Sequence, residues 1–104
     1  MKNSNSNNVT TLDINALTWF DKVNGNSYFS AQIVVNYGTP SEHTIKLPFQ
    51  YGYGDQYRYE AINELVKLGY LKDGANWYDL KESGIICRFS KIDAKKAEVK
   101  QFGL

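Results

Sequence analysis

The hydrophobic pattern of this chain changes period at Gly52-Tyr53-Gly54, and that change fixes the kind of element on either side. Before it, Ile45, Leu47, Phe49 and Tyr51 alternate with Thr44, Lys46, Pro48 and Gln50, the period of two that a half-buried strand requires. After it, Tyr57, Ala61, Leu65 and Leu68 recur at helical spacing, and Ile62 and Val66 widen the stripe. A strand over His43–Tyr51 therefore feeds directly into a helix. The two glycines are expected to let the chain turn sharply between them. Asp55 is the expected N-cap, its carboxylate accepting from free amides of the first turn. Gly69 suits the left-handed position after the helix, so that Tyr70 folds back on Leu65. Pro48 has no amide hydrogen to give a ladder, which places this strand at an edge or turns the proline to its unpaired side.

Upstream, Leu17–Val23 and Ser27–Tyr37 read as two strands joined at Asn24-Gly25-Asn26, a strong hairpin signal because Asn and Gly tolerate positive φ. Phe29, Ala31, Ile33, Val35 and Tyr37 share one face of the second strand, with Ser30, Gln32 and Asn36 on the other. A two-residue turn pairs Val23 with Asn26. A three-residue loop pairs Val23 with Ser27 and aligns Trp19 with Ala31 and Leu17 with Ile33. The second buries more apolar surface and is expected, with Asn26 left-handed. A turn at Gly38-Thr39-Pro40-Ser41 leads to the third strand.

Downstream of the helix, Asp73-Gly74 marks a turn. Asn76 is placed to cap a short helix through Glu82, with Trp77 and Leu80 on one face and Gly84 ending it. Ile85–Ile92 reads as a further strand with Ile85, Cys87 and Phe89 facing the core. The tail has two readings: a short helix capped by Asp93, or a strand at Glu98–Phe102. The sum is α+β: a three-stranded antiparallel meander, one main helix packed on one face, a short helix and a C-terminal strand. A right-handed crossover brings that last strand parallel to the third and beside the first. With 104 residues the chain is one domain over 11–104, behind a polar leader of residues 1–10 whose MKNSNSNN run is expected to be disordered.

Composition narrows the function classes. A net charge of +1 argues against a protein dominated by phosphate binding. The charge is uneven: residues 1–80 carry six Lys/Arg against eight Asp/Glu, and residues 81–104 carry six against three. The one cysteine, Cys87, excludes an intrachain disulfide and a thiolate zinc cage, and its apolar setting reads as a buried structural thiol. No apolar run approaches the ~20 residues needed to span a bilayer, so the cytoplasm is the expected compartment.

No catalytic set stands out. His43 is the sole histidine and reads as an exposed strand-end residue. Asp73, Asp79 and Glu82 lack a calcium-loop pattern and read as caps and surface charges. Gly52 and Gly54 ahead of a helix invite an anion-site reading, but the Lys-Ser/Thr of a phosphate loop is missing and Asp55 puts negative charge where phosphate would sit. Neither metal nor cofactor is expected. What remains is a surplus of tyrosine: Tyr51, Tyr53, Tyr57, Tyr59, Tyr70 and Tyr78 exceed what one small core needs. Tyrosine offers wide, rigid contact area and is enriched at interfaces. It also stacks on bases, where single-stranded nucleic-acid binders pair such rings with basic grooves.

At WFDKVNGNSYFS (Trp19–Ser30) and LPFQYGYGDQYRYEA (Leu47–Ala61) the chain resembles small, mostly uncharacterised proteins encoded by bacteriophages. The two motifs cover about a quarter of the chain; the Asn-rich leader and the tail lie outside them. Such proteins have no agreed activity, so no catalytic residue carries over. The resemblance implies a context, the host cytoplasm, and a mode of action by binding, including inhibition of host defence systems. The expectation is thus a non-enzymatic protein that binds a protein partner through Tyr51, Tyr53, Arg58 and Tyr59. The alternative is a single-stranded nucleic-acid-binding module that adds Arg88, Lys91, Lys95, Lys96 and Lys100 to the tyrosines.

Overall fold

The computed structural model describes residues 9–104, and the expected disorder of residues 1–8 lies outside that range. Val9 and Thr10, which the sequence assigns to the leader, are packed: Val9 is buried, and the Thr10 amide donates to Asn36 Oδ1 at 2.7 Å. The elements are β1 (Thr11–Asp21), β2 (Asn26–Val35), β3 (His43–Tyr51), α1 (Gln56–Lys67), α2 (Trp77–Glu82), β4 (Ile86–Asp93) and α3 (Lys96–Phe102). The sheet order is β3-β2-β1-β4, antiparallel across the first three strands and parallel between β1 and β4. The expected α+β meander is there, with the last strand beside the first and the proline-bearing strand at an edge.

One face of the sheet carries the core. Leu12, Ile14 and Ala16 of β1, Phe29, Ala31, Ile33 and Val35 of β2 and Leu47 of β3 are buried beneath Tyr57, Ala61, Ile62 and Leu65 of α1. The helix ends as expected, with the Tyr70 amide on the Leu65 carbonyl (2.9 Å) and the Gly69 amide on that of Val66 (3.0 Å). In α2 Asn76 Oδ1 accepts from the Asp79 amide at 2.9 Å and Leu80 is buried, also as expected. Gly52 lies flat against Phe29, where any Cβ would strike the ring, so the strand-to-helix turn needs a residue without a side chain there.

Several details differ from the sequence reading. Leu68 and Tyr37 are exposed rather than in the core, because α1 ends at Lys67 and β2 at Val35. Asp55 makes no side-chain cap bond. Its backbone (φ −91°, ψ 12°) lacks the extended geometry a cap uses, and its carboxylate instead lies 3.8 Å from Arg58 Nε. The hairpin takes neither expected register: Asp21 faces Asn26, Ala16 faces Ala31 and Ile14 faces Ile33. Asp21 decides this. Its carboxylate accepts from the amides of Val23 (3.0 Å) and Asn24 (3.3 Å), and its carbonyl accepts from Gly25 (2.7 Å). That local bonding closes the turn over residues 22–25, with Gly25 (φ +71°) and not Asn26 in the left-handed region, and leaves Val23 exposed.

A further difference concerns β3. Ala31 faces Leu47 while Phe29 faces Gln50, so one extra residue of β3 is accommodated at Pro48-Phe49 opposite Ser30. This bulge reverses the parity of the strand. Phe49 and Tyr51 therefore leave the face of Ile45 and Leu47, and Phe49 is not a core residue of the α1 side. Finally, the tail is the helix α3, not a strand, and Lys95 rather than Asp93 stands at its N-cap. The Asp93 carboxylate accepts from Thr18 Oγ1 at 2.7 Å, within the sheet. Helix α3 covers part of the second face, where Val99 is fully buried and Ser30 Oγ donates to the Val99 carbonyl.

Candidate functional site

The bulge at Pro48-Phe49 assembles an aromatic ladder on the second face. Trp19 on β1, Tyr28 on β2 and Phe49 and Tyr51 on β3 now lie side by side. The rings of Tyr28 and Phe49 stack 5.1 Å apart at 6°, Trp19 lies 5.7 Å from Tyr28, and Tyr51 meets Tyr28 edge-on at 5.9 Å. Cross-strand aromatic pairs of this kind stabilise a sheet face beyond their buried area. Helix α3 closes the ladder with two cations one turn apart. Lys96 Nζ stands 5.1 Å from the Trp19 ring and Lys100 Nζ 5.6 Å from that of Phe49.

At the hairpin end of the sheet the ladder opens onto solvent. Tyr51 is 67% exposed there, while Phe20 and Tyr53, 52% and 82% exposed, stand at the same end at a cleft on the other, α1, side. A shallow cleft of about 150 Å³ runs between Phe20, Trp19 and Tyr53, with Lys91 and Asp93 at its rim. That is below the range of about 300–1,000 Å³ typical of small-molecule sites. A larger groove of about 470 Å³, lined by Val9, Leu71, Ala75, Leu80 and Ile85, lies at the opposite side of the fold. Its acidic residue, Asp79, already bonds Asn76 Nδ2 at 2.9 Å.

The four partner-binding candidates fall into separate places. Tyr51 ends the ladder and Tyr53 flanks the cleft. Tyr59 is exposed on α1, about 200° around the helix from the buried Tyr57. Arg58 is engaged internally: its guanidinium sits 4.0 Å from the Phe89 ring centroid, Nε donates to Tyr57 Oη at 3.2 Å, and its carbonyl accepts from Trp77 Nε1 at 2.9 Å. It joins α1 to β4 and α2.

The basic candidates are likewise divided. Arg88 is held by Asp13 in a two-pronged ion pair (2.5 and 3.0 Å), which raises the guanidinium's affinity for its proton further. Lys91 Nζ bonds the Gly54 carbonyl at 3.3 Å, Lys96 and Lys100 lie over rings, and Lys95 begins α3 with its amide on Glu98 Oε1. Arg88 and Lys91 point to opposite faces of β4, so the five do not line one groove.

His43 is exposed at the start of β3, its ring 6.2 Å from Tyr70. Among the described residues no group of three or more His, Cys, Asp or Glu is arranged to hold a metal ion. Cys87 is half-buried beside Trp77 and Phe89, and burial pushes its thiol pKa up. Among the described residues no helix is long and apolar enough to cross a membrane.

Sequence reasoning missed Trp19, Phe20 and Tyr28 as members of the site. The signal that could have found them is Pro48: a proline inside an alternating strand marks a bulge as readily as an edge, and a bulge transfers Phe49 and Tyr51 to the other face. No family model, no curated protein and no solved structure matches this chain.

Proposed function

We propose that this is a non-enzymatic binding protein that takes a protein partner at the hairpin end of its sheet. The observation carrying the reading is a band of aromatic rings at that end on both faces of the sheet: Tyr51, 67% exposed beside the half-buried Trp19, Tyr28 and Phe49, and Phe20 and Tyr53, 52% and 82% exposed at the cleft on the α1 side. Large rigid rings standing on a regular sheet lose little entropy on binding, and tyrosine and tryptophan dominate interface hot spots. Lys96 and Lys100 over the ladder, and Lys91 at the rim of the cleft on the other face, favour a partner with acidic groups beside an apolar contact. The resemblance to phage-encoded proteins extends the proposal to a host protein, a component of a defence system, and to the host cytoplasm as the place of action.

A second reading, single-stranded nucleic acid, is favoured by the two lysines that stand directly over aromatic rings. It is the weaker one. Base stacking needs a free ring face, and here the faces of Tyr28, Phe49 and Trp19 already meet neighbouring rings or ammonium groups.

Affinity capture from host lysate, with the wild-type chain beside a Phe20→Ala/Tyr53→Ala variant, tests the proposal. The wild type is expected to retain one protein in stoichiometric amount and the variant, folded by circular dichroism, to lose it. Recovery of none, or equal recovery by both, overturns it. Oligonucleotide binding that falls steeply with salt transfers the reading to nucleic acid.

A further inference from the structure

The two edges of the sheet are unlike. The β3 edge is blunted by Pro48 and its bulge, both devices that discourage a further strand. The β4 edge is not. It is eight residues long, contains no proline, and pairs with β1 without a register shift. Among the described residues no strand covers its outer side. The amides of Ile86 and Ala94 donate to β1, at the carbonyls of Thr10 and Thr18. Alternate residues of a strand direct their backbone groups the same way, so Cys87, Phe89 and Lys91 present theirs outward.

Charged side chains often protect such an edge, but here all three are folded back onto their own subunit, Asp93 onto Thr18 of β1. Arg88 is clamped by Asp13 on β1, and Lys91 reaches the Gly54 carbonyl. The large side chains left in water are Ile86 and Ile92, 55% and 60% exposed on the same face. They lie three residues to either side of Phe89, one before and one after. A groove of about 580 Å³ lined by Trp77, Tyr78, Cys87 and Phe89 runs along the other face, so α2 stands back from the edge and leaves room beside it.

We propose that β4 pairs with β4 of a second copy of this chain, antiparallel and two-fold symmetric about Phe89, joining the two sheets into one. This edge adjoins the aromatic patch at Lys91 and Asp93, and the proposal does not depend on the patch. A two-fold contact is self-complementary, so each residue must suit the one it meets across the axis. In this register Ile86 meets Ile92 of the second copy, and Ile92 meets its Ile86. These are close, non-hydrogen-bonded positions, at about 4.5 Å between Cα atoms. The outward backbone groups of Phe89 meet their own counterparts, and those of Cys87 meet those of Lys91. Arg88 faces Ser90 and Lys91 faces Cys87, so no like charges are directly opposed. Centring the pair on Ser90 instead sets Ile92 against Arg88 and leaves Ile86 against Ala94. The symmetric spacing of the two isoleucines selects the Phe89 register and selects a copy of this chain over an unrelated strand.

Sedimentation equilibrium on the full chain tests the association, and cysteine pairing tests the register. The wild type is expected to sediment with the mass of two chains, and an Ile86→Lys/Ile92→Lys variant with the mass of one. In a Cys87→Ala background, single variants Ile86→Cys and Ile92→Cys are oxidised with copper phenanthroline in air, separately and mixed. The mixture is expected to yield a disulfide-linked pair and neither single variant alone to do so. A wild type that stays monomeric at every concentration overturns the proposal, as does a dimer unaffected by the lysine substitutions. Cross-linking of either single variant with itself overturns the Phe89 register.

Discussion

Ser30 Oγ lies 2.5 Å from the carbonyl oxygen of Val99, and both residues are sealed from solvent. This bond ties α3 to the middle of β2, with Gly103 packed so closely behind it that a Cβ there would stand 2.6 Å from the Leu47 carbonyl oxygen. Replacing Ser30 with Ala removes the donor and leaves the buried carbonyl without it. The expected cost is about 1–3 kcal/mol. Denaturant unfolding of the variant, with an unchanged m-value, checks it.

Leu65 is the centre of the opposite face, fully buried between α1 and the sheet. Leu65→Ala is expected to destabilise by roughly 2–5 kcal/mol, because the rings and branched chains around it refill the cavity only in part. Leu68→Ala, one turn further on and half exposed, is expected to cost far less. The two midpoints measured side by side test whether the helix stripe ends where the structure ends it.

Asp21 makes the hairpin sensitive to acid. The hydrogen bond from the Asn24 side chain, foremost, with those from the Asn24 and Val23 amides, holds its carboxyl below the ordinary aspartate range. A folded-state pKa lowered in this way means the unfolded chain takes up the proton more readily. The resulting stability is present above the ordinary aspartate range and disappears as pH falls through the folded value. A carboxyl-carbon NMR titration is expected to place the Asp21 midpoint below that of a free aspartate, and Asn24→Ala to move it up again.

Burial pushes the Cys87 thiol away from its reactive thiolate form. Iodoacetamide at neutral pH is therefore expected to label the folded chain more slowly than the chain unfolded in urea, as read by mass spectrometry. Equal rates in the two states would contradict the packing described against Trp77 and Phe89.

Local pattern was enough to locate β2, β3, α1, α2 and β4 along the chain, because each is marked by side-chain period and by a nearby stop such as Gly69 or Gly84. What the sequence concealed depends on contacts far apart in the chain or on a polar side chain acting through the backbone. The hairpin register turned on the Asp21 carboxylate reaching forward to two amides, which outweighed the apolar pairing of Trp19 with Ala31. The start of β1 was lost because Leu12, Ile14 and Ala16 have a legible role only once Val35, Ile33 and Ala31 stand opposite them. For the candidate site, the exposure of Tyr51 and Tyr53 was legible in the turn. Their neighbours Trp19, Tyr28 and Phe49 were not, since one bulge decides which face they share. The nature of α3 was hidden for a similar reason: its apolar stripe is little more than Val99, and a polar residue, Ser30, anchors it.

The bonds between β1 and β4 carry a kinetic consequence. Asp13 to Arg88, Asn15 to Ser90 and Thr18 to Asp93 each link residues 75 positions apart. The meander and α1 can form from nearer neighbours, whereas β4 must close a loop spanning most of the domain before any of these bonds forms. Until it does, β1 is itself an unpaired edge with Leu12, Ile14 and Ala16 only half enclosed. Separations of this length raise the entropy cost of docking β4, and this is the pairing whose loss would turn β1 into an open edge.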